Sequence, residues 1–208
     1  MTTRFRLGAA ALSLLAIPTL ASAYSSGPPD GVSGNPPFNA NCTECHFSFD
    51  VNSGDGSLEL LGLPAEYVPG QVYPLTVQLS DPGQVRWGFE LTVLDDADFA
   101  LQGGQLQVTD PTNTQISLDS ETEADYLKHT FDGIFDGVSD GPVSWDFEWV
   151  APGPEKNSVT FYVAGNAADG DFSLTNDYIY TTTITLRPSD PTPIDDTSWG
   201  RIKRLFDN

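Results

Sequence analysis

The 208-residue chain is poor in several residue types, and each shortage narrows what it can be. Only 9 side chains are basic against 29 acidic, giving a formal charge of -20 and an isoelectric point near 4.1. Long-range attraction to nucleic acid or to an anionic lipid surface depends on clustered Lys and Arg, so nucleic-acid binding is set aside. There is one methionine, Met1, and there are two cysteines and two histidines. The longest apolar run, Leu7 to Ile17, is too short for a bilayer core that needs about twenty residues. No glycine-rich nucleotide loop, Gly-x-Ser-x-Gly elbow or paired-carboxylate cleft is recognisable. The acidity itself reads as a solvated surface.

What is present divides the chain into five parts. Arg4 and Arg6, the apolar run and Ala21-Ser22-Ala23 have the form of a secretory leader, so residues 1–23 are expected to be removed and the protein to be extracytoplasmic: periplasmic, secreted or at the cell surface. Removal takes away two of the nine basic residues and the only methionine. Residues 24–56, rich in Gly, Pro, Ser and Asn, read as an irregular arm.

From 57 to 187, short β-branched and aromatic runs alternate with Gly, Pro and Asp, the pattern of an all-β, antiparallel sandwich. About nine strands are expected. The clearest are Val72 to Leu79, Trp87 to Leu94, Leu106 to Thr109, Tyr126 to Phe131, Val143 to Val150, Ser158 to Val163 and Tyr178 to Leu186. In Val143-Ser144-Trp145-Asp146-Phe147-Glu148-Trp149 the alternation is clean, so one face is buried. Residues 188–198 form a Pro-rich spacer. Residues 199–208 then place Trp199, Ile202, Leu205 and Phe206 at helical spacing beside Arg201, Lys203 and Arg204, an amphipathic tail expected to dock on a cell-surface partner.

The one chemical motif is Cys42-Thr43-Glu44-Cys45-His46. A C-x-x-C-H sequence is the attachment signal of c-type haem: two thiols three apart add to the two vinyl groups of one porphyrin, and the following histidine becomes the proximal iron ligand. The expected cofactor is therefore one haem c, bound through Cys42 and Cys45 with His46 on the iron. A Cys42–Cys45 disulfide and a zinc site are the other readings these residues leave open. Phe38 and Phe47 flank the motif as candidate covers for the porphyrin faces, or as docking residues.

With Met1 removed, the sixth iron position falls to His129, to a weak ligand such as Lys128, to water or to nothing. Alternation puts Leu127, His129 and Phe131 on one strand face, so His129 is expected among apolar neighbours, either as a hydrogen-bonded core residue or as the distal ligand. Arg86 is a candidate for a propionate, with an internal ion pair as the commoner alternative. Asp95, Asp96 and Asp98, and Asp119, Glu121 and Glu123, lack the D-x-D-x-D-G calcium pattern and read as solvated acidic turns, with a calcium site as the rarer alternative. Gly165 to Asp171 with Asp177 reads as a Gly-Asn turn at a strand crossover, with a polar or calcium-binding corner as the alternative.

Over about Asn41 to Leu186 the sequence resembles secreted bacterial proteins with a Reeler-like β-sandwich, also described as choice-of-anchor V domain proteins. The carriers are the C-x-x-C-H motif, Tyr67-Val68-Pro69-Gly70 with Tyr73, Arg86-Trp87-Gly88-Phe89, His129-Thr130, and Trp145 to Trp149 followed by Ala151-Pro152. Val159-Thr160-Phe161-Tyr162, Ala164 to Gly170 and Asp177-Tyr178-Ile179-Tyr180 complete them. The resemblance implies an immunoglobulin-like fold and an extracytoplasmic location, and it makes His129-Thr130 part of the motif set. The function expected is one-electron transfer to or from a redox partner protein by a monohaem c-type cytochrome-like protein. The competing classes are a non-catalytic surface or adhesion module, with structural or no haem, and a haem sensor or peroxidase-like enzyme.

Overall fold

The computed structural model describes residues 24–118, 124–155 and 157–189. The leader, the tail at 199–208 and the acidic run Asp119, Glu121 and Glu123 lie outside the described residues.

Ten strands form: β1 Ser57–Leu61, β2 Val72–Ser80, β3 Arg86–Asp95, β4 Asp98–Gln102, β5 Gln105–Val108, β6 Thr114–Leu118, β7 Asp125–His129, β8 Val143–Val150, β9 Val159–Ala168 and β10 Tyr178–Leu186. One sheet has the order β1-β2-β8-β5 and the other β10-β9-β3-β7-β6, with β4 folded back on the end of β3. Every strand pairing is antiparallel. The chain is thus the all-β antiparallel sandwich that its punctuated pattern predicts.

The core between the sheets is aromatic. On β8, Val143, Trp145, Phe147 and Trp149 are buried while Ser144 and Asp146 face solvent. Trp145 packs 4.6 Å from Phe89 and 5.5 Å from Phe135, and Trp149 meets Tyr67, Tyr73 and Phe161 at 5.0–5.6 Å. A buried indole N–H must find an acceptor. Trp87, Trp145 and Trp149 donate to the carbonyls of Val138, Gly133 and Gly103.

Strand β3 is buried at all ten positions, polar ones included. Its inner residues Trp87, Phe89, Leu91 and Val93 enter the core. Its outer residues, Glu90 and Thr92 among them, are covered by something other than the second sheet. The expected strand Tyr126 to Phe131 stops at His129; Phe131 opens a short 3-10 turn and is 61% exposed. Two residues of the expected spacer, Pro188 and Ser189, pair with Tyr67.

Candidate functional site

The cover on β3 is the N-terminal arm. Rich in Gly, Pro, Ser and Asn, it is held across the outer face of β6, β7 and β3 by directed polar bonds. Lys128 Nζ donates to the Pro28 carbonyl at 2.8 Å and to Asp30 at 2.6 Å, and Ser117 donates to the same carboxylate. The Val32 N–H donates to Glu90 at 2.6 Å, and Asn35 to the Tyr126 hydroxyl at 3.0 Å. Glu90 is fully buried, so its charge needs such donors.

The arm ends in the cysteine motif. Asn41 caps one 3-10 turn, Cys42–Glu44, by accepting from the Thr43 N–H, and the N–H groups of Cys45 and His46 close on the Cys42 carbonyl. This turn brings both thiols and the His46 ring to the wall of one cleft. Both cysteines are free. Burial, and then the charge of Glu90, push the Cys42 thiol up to about 12, so it stays protonated at neutral pH. His46 Nδ1 lies 2.5 Å from Oδ2 of Asp177, whose side chain is 1% exposed. Asn166 on β9 reaches both nitrogens of the ring at 3.3–3.4 Å.

His129 lines the same cleft, 83 residues away in sequence. Its ring is not simply one more side chain on the inner face with Leu127. Where β7 leaves β3, Nδ1 takes the place of the next backbone partner, 3.0 Å from the Phe89 N–H and 3.2 Å from the Phe89 carbonyl. Burial pulls the imidazole down to about 4 against hydrogen bonds to the Phe89 and Tyr24 backbones, so the ring is neutral. A Cβ on Gly88 would stand 2.8 Å from Cε1 and 3.1 Å from Nδ1 of that ring, so only glycine admits it.

The cleft is partly open to solvent and has a cavity volume of about 120 Å³. Its walls combine Val32 of the arm, Trp87, Phe89 and Ile134 of the sandwich, and Phe172 of the β9–β10 loop. Cys42, Cys45, His46 and His129 thus line one cleft, although among the described residues no three His, Cys, Asp or Glu side chains stand close enough to hold a metal ion by themselves. Phe38 and Phe47 are 86% and 72% exposed and line no part of the cleft. Phe38 precedes the turn and Phe47 follows it, and both rings are exposed to solvent. Phe49 does dock, stacking on Tyr178 with centroids 4.3 Å apart.

Arg86 forms the internal ion pair, with Asp136 at 3.1 Å, and its guanidinium lies over the Phe172 ring at the cleft rim. Asp95, Asp98, Asp169 and Asp171 accept N–H groups two residues on, the habit of acidic turns, and Asp96 accepts from Thr160. Sequence reasoning did not connect Gly88, Asn166 and Asp177 with the cysteine motif or His129, although all three stand among the residues that carry the family resemblance.

No family model matches the chain, and no curated protein matches it either. Among solved structures it is similar to the Reelin-N domain of F-spondin, at 20% identity and a TM-score of 0.45, covering 71% of this chain and 97% of that one. The human F-spondin reeler domain gives 19% and 0.44, with 67% and 93% covered. A type II cohesin domain from the cellulosome of Acetivibrio cellulolyticus gives 8% and 0.36, with 63% and 94% covered. The sandwich assignment rests on the strand pairing itself. Among the described residues no helix is long and apolar enough to cross a membrane.

Proposed function

We propose that this is an exported, monohaem c-type cytochrome-like protein whose work is one-electron transfer. The observation that carries the reading is the meeting of the C-x-x-C-H turn and the distant His129 on one apolar-walled cleft. The donor set suits haem c better than a closed zinc site, because two thiols and two imidazoles line one largely apolar cleft without clustering closely enough to hold a metal ion by themselves. Haem, when bound, supplies the one-electron chemistry.

In this reading Cys42 and Cys45 would hold the porphyrin by thioether bonds and His46 would hold the iron. His129, its ring placed by the Phe89 backbone at Nδ1, would supply a second imidazole. Two imidazoles without methionine give a low potential and suit a donor to a higher-potential redox partner. Leader removal after Ala23 and a surface partner for residues 199–208 belong to the same proposal.

The test is expression in a host with a haem-attachment system, followed by intact-mass measurement and a haem-stained denaturing gel. The wild type should gain the mass of one haem and stain, and Cys42→Ala/Cys45→Ala should do neither. A wild type without added mass, with Cys42 and Cys45 joined as a disulfide, contradicts the proposal.

A further inference from the structure

Three ion pairs occur among the described residues, and two involve permanently charged bases: Arg86 with Asp136, and Lys128 with Asp30. The third joins His46 to Asp177, the most deeply buried carboxylate of the three, with 1% of its side chain exposed against 55% and 22%. Burying a carboxylate is costly unless its oxygens are bonded. Oδ2 has the His46 Nδ1 at 2.5 Å, and Oδ1 has the Asp169 N–H at 3.3 Å. Among the described residues no Lys or Arg forms an ion pair with this carboxylate. Its strongest partner is the ring of the one histidine that follows the two thiols.

The placement is rigid. Asp177 immediately precedes β10, whose first residue, Tyr178, pairs with Ala167, and Asn166 beside it on β9 contacts the same imidazole. A ring carried by an irregular arm is thus gripped by two residues of the regular sheet.

We infer that Asp177 is a positioning residue for the iron site: by accepting the Nδ1 hydrogen of His46, it fixes the ring's tautomer and orientation and makes His46 an electron-rich ligand. This rests on the haem reading above. A carboxylate acceptor forces the hydrogen onto Nδ1 and leaves the lone pair on Nε2, the nitrogen that binds metal. The negative charge beyond Nδ1 raises the basicity of Nε2 and stabilises the more positive, ferric state relative to the ferrous one. The protein's own lever on the potential is then this hydrogen bond, in addition to the absence of methionine.

The experiment uses the full haem-loaded protein. Asp177→Asn keeps the shape and removes the charge; its ferric-over-ferrous preference should drop about tenfold, which is about 59 mV upward for a one-electron couple. Asp177→Glu should recover part of that change. The carbon monoxide adduct gives a second readout, because its Fe–C and C–O vibrations report the electron donation of the ligand opposite. A purely structural carboxylate would lower the melting temperature and leave both potential and vibrations unmoved, and that result overturns the inference. Wild-type protein that takes up no haem defeats the haem reading instead. If Asp177→Asn fails to fold, nitrogen-15 spectra of the haem-free wild type decide: the inference requires the hydrogen on Nδ1 of His46, and a ring protonated on Nε2 alone contradicts it.

Discussion

The two faces of the six-stranded sheet are held by different physics. Its inner face, with Trp87, Phe89, Leu91 and Val93 of β3, meets Trp145, Phe147 and Trp149 across the sandwich and gains stability in proportion to apolar area removed from water. Its outer face presents Glu90, Thr92, Tyr126 and Lys128 to an arm of glycines, prolines and small polar residues, joined by single hydrogen bonds. Area-based adhesion is spread over many residues. Bond-based adhesion is concentrated in few, so the arm and the thiols it carries can be released while the sandwich stays folded.

That contrast predicts two kinds of mutant. Trp145→Ala, on the inner face, should cost about 3–5 kcal/mol in denaturant unfolding, lost by the whole sandwich together. Lys128→Met, on the outer face, breaks the bonds to Pro28 and Asp30 and should cost about 1.5–3 kcal/mol, felt locally. Hydrogen exchange should then speed up over residues 26–41 and scarcely change in β2, β8 and β9. Uniform acceleration in Lys128→Met would break the comparison, because the arm would then be part of the cooperative core.

Gly88→Ala lies where the two faces meet the cleft. Its added methyl would stand 2.8 Å from the His129 ring, and the crowding should cost about 1–3 kcal/mol. In the haem-loaded protein the same change should convert a low-spin spectrum toward high spin by moving His129, while Cys-linked haem is retained.

The smallest effect is expected at the seam between the sheets, where the buried Tyr180 hydroxyl donates to Asp81. Burial raises the Asp81 carboxyl above its usual value, with the nearby Asp55 adding to the shift and the Tyr180 bond opposing it. A carboxyl raised on folding favours the folded state below the ordinary value of about 4, and that advantage is lost as pH rises through the raised one. Asp81→Asn removes the loss, so the stability of Asp81→Asn relative to wild type should grow between pH 4 and pH 7.

Much of the inner face was legible in the sequence, because burial on one side writes a period of two. The bounds of β8 and β10 agree with the pattern at both ends. β4, with four of five positions exposed, and the short β1 and β6 write no such period. The cysteine turn was legible because its chemistry is local. The docking of the arm was not, since its bonds are made by backbone groups and small polar side chains to residues 58 to 100 positions away. Alternation grouped His129 with Leu127 and Phe131. The strand instead ends at His129, whose ring turns to the backbone of β3, and Phe131 reaches solvent. The pairing of Asp177 with His46 was not legible, because a carboxylate 131 residues from a histidine has no spacing signal.

The central claim is that a haem, joined through both Cys42 and Cys45, sits in the cleft between the arm and the outer face of the sheet. A pyridine haemochrome spectrum of protein from a maturation-competent host tests it most directly. The account predicts the band position of a porphyrin with both vinyl groups saturated, at one haem per chain, surviving acid–acetone extraction. Haem that extracts freely, or no haem band at all, would contradict it.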